Sequence, residues 1–485
     1  MSFLGDKMAA ARRLASEGRQ SPLARKLLSG TAWSAASTAF GKLATFTSTF
    51  LLARLFGPEW LGRYSIVITN ANFIELFAAS GTQKMANRAA AQEDTGALRE
   101  MLSFYLLMAG VMALFVIAFA EWISDTLFRC PGLGTPLRIV SAIIILQMLV
   151  NYLKGALSGR YDFRSLALGT AVGGVVTASV ALAMGIRWGV PGAVLGNVAG
   201  AAAVVALLGW SVSRKIGKDA LSPIRLTPAR FYAQWKNFFP FLVAAITYYP
   251  VNYVSVMMMA RSAKGPVEVG LYQAAMSGKT TIALVAGAFL APFLTGYLAE
   301  VVKQSQKWER LNVFIPSGAV LVTALPLALF PEVLAFVFGK KFPTEELSLV
   351  VAAVAASYGV TLLKDVFFRR MLSVNAVGFW GYSNIGWGCV VVGMIFATGP
   401  IGALEVARAY VFADVAHLYA VYLWTGRMRI LRDRPRTHDF FVFAVAGCLV
   451  GAMFASGLPI VWRFALLPLF AVVLLAAYEV KRRQA

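Results

Sequence analysis

The chain has 485 residues, 59% of them hydrophobic and 14% charged, with a mean hydropathy of +0.68. A water-soluble core cannot hide that much apolar surface, so the composition excludes a soluble globular protein and points to a polytopic membrane protein. The net charge of +22 is accounted for by topology, as shown below, and calls for no nucleic acid.

Residues 1–28 are basic and lack the apolar centre of a cleavable signal peptide, so they read as a cytoplasmic tail. Fourteen apolar runs follow, at about 30–54, 60–82, 101–124, 136–158, 165–186, 190–212, 237–260, 268–295, 311–337, 346–368, 375–397, 400–424, 440–457 and 459–479. Each is long enough to cross roughly 30 Å of hydrocarbon as a helix. Lys and Arg concentrate in alternate connections, which places those connections and both termini in the cytoplasm. Most of the positive charge is this bias. Cys130, Cys389 and Cys448 are odd in number and far apart, and with two histidines in the chain neither a disulfide framework nor a metal site is indicated.

The chain repeats itself. ARLFGPEWLGRY (53–64), after run 1, is echoed by ARSAKGPVEVGLY (260–272), after run 7. Two further echoes lie at nearly the same offset: Lys154 and Lys364 near the ends of runs 4 and 10, and Gly192 and Gly402 at the starts of runs 6 and 12. The expected architecture is an all-α integral membrane protein of about 14 transmembrane helices. These form two parallel six-helix bundles, 29–212 and 237–424, with a linker between them and a loop plus C-terminal hairpin at 425–485. Parallel repeats of this kind enclose a midplane cavity in transporters. Within the linker, 213–236, Thr227 and Pro228 make a good helix start, and the aromatic and basic residues that follow suit an interfacial helix.

Run 1 carries a polar stripe with Thr38, Lys42 and Thr45 on one face. The hydroxyl residues suit close helix packing equally well. Lys42, about 12 residues from either end and so roughly 18 Å deep, is too deep to snorkel and fits a water-filled cavity, or an ion pair with Glu75. Lys279 in run 8 is similarly deep, and Tyr272 shares its face. Arg54 and Arg261, at equivalent ends of runs 1 and 7, read as interface anchors. Three acids are candidates for ion coupling. Glu75 lies in run 2, and Asp365, next to Lys364, reads as a solvated pair. Asp414 shares a face of run 12 with Tyr410 and His417, which suits a proton or sodium site or a structural hydrogen bond or salt bridge. No phosphate-binding loop of the G-x-x-x-x-G-K-[ST] type is present.

The 6 + 6 + 2 pattern, the AR-x-x-GP-E-x-x-G-x-Y junction, VGLYQAA at the start of run 8 and FGKKF after run 9 resemble the polysaccharide and oligosaccharide lipid flippases. That family shares a superfamily with the multidrug and toxin extrusion antiporters and the lipid II flippases. The resemblance implies a non-enzymatic carrier in the bacterial inner membrane that moves undecaprenyl-diphosphate-linked oligosaccharide to the periplasmic leaflet for surface or exopolysaccharide assembly, alongside a glycan polymerase. It also implies that Lys42 and Lys279, on the helices where lipid II flippases place essential cations, face the diphosphate, with Thr38, Thr45 and Tyr272 in the same cavity. Asp414, Glu75 and His417 remain for coupling to a proton or sodium gradient, and no cofactor is required. The alternatives are a multidrug or cation antiporter, a lipid II flippase and, more remotely, a membrane glycosyltransferase or polymerase. The absence of acids from runs 1 and 7 disfavours the antiporter, and the short loops disfavour an enzyme.

Overall fold

The computed structural model describes residues 40–41, 43–245, 248–300, 306–373, 377–398, 401–427 and 439–484, and every regular element among them is helical. In chain order these are α1 (Leu43–Phe56), α2 (Pro58–Ala79), α3 (Thr82–Ala91), α4 (Thr95–Trp122), α5 (Gly134–Gly159), α6 (Phe163–Trp188), α7 (Val190–Lys215), α8 (Pro228–Ala245) and α9 (Tyr248–Ala260). They continue as α10 (Pro266–Glu300), α11 (Gln306–Leu329), α12 (Glu332–Phe338), α13 (Thr344–Ser373), α14 (Val377–Thr398), α15 (Ala403–Arg427), α16 (Asp439–Ala455) and α17 (Ile460–Gln484). Each expected apolar run coincides with a helix over its described residues, with run 1 described from residue 40 except for 42, run 7 comprising α8 and α9, and run 9 comprising α11 and α12. Seven of the described segments are long and apolar enough to cross a membrane. The chain is a multi-pass, all-α membrane protein.

Two compact units emerge. The first contains residues 70–120 and 134–245 with the described part of α1 up to Leu51, and the second contains 52–69, 121–133 and 246–485. In the first unit α6 and α7 pack along a seam of small residues, with Gly196 against Ala181 and Gly200 against Thr177. Small side chains let apolar helices approach closely where no water drives them together. Asp162 caps α6 by accepting from the Ser165 amide at 3.4 Å.

The connection after α7 is held against the first unit. Tyr152 donates to the Ala220 carbonyl at 2.6 Å, Arg99 to the Ser222 carbonyl at 3.1 Å, and the Ile224 amide to Ser103 Oγ at 2.7 Å. Helix α8 starts at Pro228, as its sequence predicts, and Thr227 Oγ1 accepts from the Arg230 amide. Part of its aromatic set packs on α4, with Phe231 and Phe238 standing 5.2 and 5.8 Å from the Phe104 ring and Phe238 fully buried, while Tyr232 is exposed.

The second unit explains the repeated motif. Gly57 and Gly265 both take positive φ, 94° and 54°, in the turn before their prolines, where a β-carbon would be strained. Beyond the turns, α2 and α10 cross reciprocally. A β-carbon on Gly62 would stand 1.7 Å from the Pro266 carbonyl oxygen, and one on Gly270 would stand 1.9 Å from that of Pro58. The arginines are exchanged in the same way. Arg261 donates to the carbonyls of Thr126 and Leu127 at 2.9 and 2.8 Å, and Arg54 to that of Val337 at 3.4 Å. Arg261 therefore reaches the connection after the third run of the other repeat, and Arg54 the end of the corresponding run. Both arginines cap backbone carbonyls, a role more specific than the anchoring expected of them.

The C-terminal hairpin is fastened at both ends. Arg370 of α13 pairs with Asp439 at the start of α16 at 2.8 Å, both side chains buried. Arg463 of α17 pairs with Glu332 at 2.5 Å and donates to the Leu329 carbonyl at 3.1 Å.

Candidate functional site

The most developed polar cluster inside the helices lies in the second unit, where α13, α14 and α15 meet. Asp414 sits eleven residues into α15, about 16 Å along the axis, and is 1% exposed. Lys364 Nζ donates to its Oδ1 at 2.6 Å, and Ser357 Oγ donates to its Oδ2 at 2.6 Å. The same ammonium reaches His417 Nδ1 at 3.3 Å. An ammonium has only protons to offer, so Nδ1 accepts, and the ring's proton sits on Nε2, which donates to Ser383 Oγ at 3.0 Å. His417 is thus neutral, and the cluster is one carboxylate, one ammonium and three neutral partners.

Aromatic rings close the surround. Lys364 lies over the Trp387 ring at 5.5 Å, and the rings of Trp380 and His417 are 5.5 Å apart. One turn before Asp414, the Tyr410 hydroxyl meets Ser255 Oγ of α9 at 3.2 Å. The Tyr272 ring of α10 lies tilted beside that of Tyr410, 6.4 Å between centroids. A charge pair this far from water persists only where hydrogen bonds replace its hydration, and here both carboxylate oxygens are satisfied.

Asp414 and His417, expected together, are brought together. Lys364 is the residue that sequence reasoning misplaced. It is buried, 5% exposed, and its partner is Asp414 rather than the adjacent Asp365 in a solvated pair. Lys279 is half-buried on α10, thirteen residues from the helix start, and its ammonium lies over the Tyr358 ring at 5.3 Å. Tyr358 adjoins Ser357, so Lys279 and the Asp414 cluster flank the same turn of α13. Tyr272, expected to share a face with Lys279, is 4% exposed.

In the first unit Glu75 Oε1 accepts from Asn151 Nδ2 of α5 at 3.0 Å, with Lys154 one turn further along α5 in electrostatic reach. Lys154 is the repeat counterpart of Lys364. Both therefore stand near an intramembrane acid, but the acid comes from the second run in one repeat and the sixth in the other. Thr45 Oγ1 donates to the Gly41 carbonyl at 3.1 Å, within its own helix. Thr38 and Lys42 lie outside the described residues. Among the described residues no group of three or more His, Cys, Asp or Glu could hold a metal ion.

The family described as polysaccharide biosynthesis protein matches residues 51–339. No curated protein matches the chain. Solved structures with the same fold include the lipid II flippase MurJ in an inward closed conformation, with a TM-score of 0.66 and 14% identity over 93% of this chain and 99% of that one. A multidrug resistance MATE family transporter of the MOP superfamily, inward-facing, has a TM-score of 0.63 and 16% identity over 81% of this chain and 94% of that one. A MOP superfamily transporter from Pyrococcus furiosus has a TM-score of 0.56 and 14% identity over 83% and 95%. The chain thus belongs to the polysaccharide biosynthesis protein family and shares the fold of these MOP superfamily and MurJ structures.

Proposed function

We propose that the protein flips an undecaprenyl-diphosphate-linked oligosaccharide from the cytoplasmic to the periplasmic leaflet of a bacterial inner membrane, with both termini cytoplasmic, and that it does so by alternating access. The observation that carries the reading is a polysaccharide biosynthesis family match in a chain with the fold of a lipid flippase. An amphiphile of this kind needs an apolar path for its chain and fixed positive charge for its diphosphate. Lysine is a point-charge phosphate binder, strongest where water is sparse. Lys279, with its ammonium over the Tyr358 ring, is proposed for that role. Lys42, Thr38, Thr45 and Tyr272 are the further residues proposed to contact the lipid.

Alternating access also requires a closure that can part. The reciprocal contacts of Gly62 with Pro266 and Gly270 with Pro58, with the exchanged arginines, are proposed to close the periplasmic end and to separate for release. Return of the emptied carrier is assigned to an ion gradient acting at Asp414 and His417, or at Glu75. A ligand biases such a step only by binding the two states differently. A glycan polymerase is the proposed partner that consumes the product.

A second reading, a lipid II flippase, is favoured by the coverage of the MurJ fold. Deletion of the gene separates the two. The proposed function predicts a viable strain that lacks one surface polysaccharide and accumulates the lipid-linked repeat unit on the cytoplasmic leaflet. Lethality with loss of lipid II export would favour the second reading, and unchanged polysaccharide with increased sensitivity to cationic drugs would favour a multidrug antiporter.

A further inference from the structure

We infer that the Asp414 cluster is a proton site closed to metal cations, because the ammonium of Lys364 occupies the place a metal ion would take beside the carboxylate. The inference deepens the ion-coupled reading above by naming the ion. It stands on the coordination of Asp414. Its Oδ1 is taken by Lys364 Nζ and its Oδ2 by the Ser357 hydroxyl, both at 2.6 Å. A hard cation needs several oxygen ligands at once. Here it would have to displace an ammonium held by a carboxylate on one side and by His417 Nδ1 on the other, against like-charge repulsion at close range in a medium that screens poorly. A proton needs one lone pair.

The groups facing the cluster are few. Lys364, Ser357 and Asp365 come from α13, and Asp365 has Arg369 and Lys364 in electrostatic reach. Ser383, Trp380 and Trp387 come from α14, and Tyr410 and His417 from α15. Ser255 of α9 and Tyr272 of α10 reach it through Tyr410, and Lys279 of α10 through Tyr358. Among them Lys364 is the charged group bonded directly to Asp414.

Proton binding then has a simple course. A proton adds to Asp414 Oδ1 and forms an O–H bond, and the ion pair with Lys364 breaks. The ammonium keeps its three protons and passes to His417 Nδ1, which it already contacts at 3.3 Å. No covalent bond breaks, and the cluster goes from neutral to a charge of +1.

The test uses the purified full-length protein in detergent, unfolded by heat in sodium chloride and in choline chloride of equal ionic strength, and needs no cargo or transport. The wild type is expected to have the same midpoint in both salts. Lys364→Gln removes the built-in cation and leaves Asp414, Ser357, Ser383 and His417 around an open seat. It is expected to gain a sodium-specific rise of about 2 °C at ten times the dissociation constant, which Lys364→Gln/Asp414→Asn loses. A sodium-specific rise in the wild type that Asp414→Asn abolishes would overturn the inference, as would a folded Lys364→Gln protein with no response to sodium. Should Lys364→Gln fail to fold, ²²Na⁺ binding to wild type and to Lys364→Arg decides. Neither is expected to bind it, and Asp414-dependent binding to either overturns the inference. Loss of flipping with these binding results intact would count against the transport reading alone.

Discussion

Gly62 lies so close to Pro266 that a β-carbon there would stand 1.7 Å from the proline carbonyl oxygen. Gly270 stands in the same relation to Pro58, at 1.9 Å. The two copies of the repeated motif are therefore each other's binding partner. Because the obstacle is backbone, α2 and α10 must move apart to admit a side chain. Gly62→Ala or Gly270→Ala should cost about 1–3 kcal/mol of stability, measured by thermal unfolding in detergent. The same variants should raise labelling of cysteines placed nearby by a membrane-impermeant reagent. Unchanged stability and labelling in both would show that this crossing is not a closure.

The ion pair of Lys364 with Asp414 predicts a marked asymmetry between single and double substitution. Asp414→Ala or Lys364→Met leaves one buried charge without its partner and should destabilise by about 3–5 kcal/mol. Lys364→Met with Asp414→Leu removes both charges and should recover most of that loss. A double variant as unstable as the sum of the singles would mean that the two side chains act independently.

The hairpin of α16 and α17 is tied to the rest of the second unit through Arg463, which pairs with Glu332 and the Leu329 carbonyl. Arg463→Ala should cost about 1.5–3 kcal/mol, the range for hydrogen bonds to a charged group. A chain ending after residue 427 should fail to accumulate in the membrane, since it also loses the Arg370–Asp439 pair. Normal accumulation of that truncated chain would make the hairpin dispensable.

At the turn between α5 and α6, burial alone would push the Asp162 carboxyl up. Hydrogen bonds from Lys215 and Ser165, with the Lys215 charge, outweigh it and hold the carboxyl below its usual range. A group depressed on folding contributes stability above its unfolded pKa and loses it as pH falls through the folded value. Wild type should therefore lose stability below about pH 4 more steeply than Asp162→Asn, which keeps the cap on Ser165 but not the ion pair. Parallel pH profiles for the two proteins would refute this.

The helices were legible because apolar runs of span length have no other use, and the cap at Thr227 because its geometry is local. The repeat was legible as a repeat. Its purpose was not, because reciprocal contact between Pro58 and Gly270 joins positions more than 200 apart. Asp414 and His417 were found by helical spacing. Lys364 was missed because its neighbour Asp365 offered a nearer partner, although adjacent residues on a helix do not face each other. The match of Lys364 to Lys154 was the signal that could have marked it. Glu75 reads from the sequence as a coupling acid or a partner for Lys42, which lies outside the described residues, and its contact with Asn151 of α5 is one that no local pattern indicates.

The cation of Lys279 on α10 is proposed to draw an anionic lipid head group across the membrane. The most direct measurement of this follows a fluorescent polyprenyl-diphosphate oligosaccharide in liposomes containing the purified protein, scored by access of a glycosidase added to the opposite side. Wild-type protein should move the lipid, Lys279→Gln should slow it by about tenfold or more while inserting normally, and Lys279→Arg should keep most of the rate because a point charge suffices. Transport by Lys279→Gln at the wild-type rate, or no movement of the lipid by the wild type, would contradict the account.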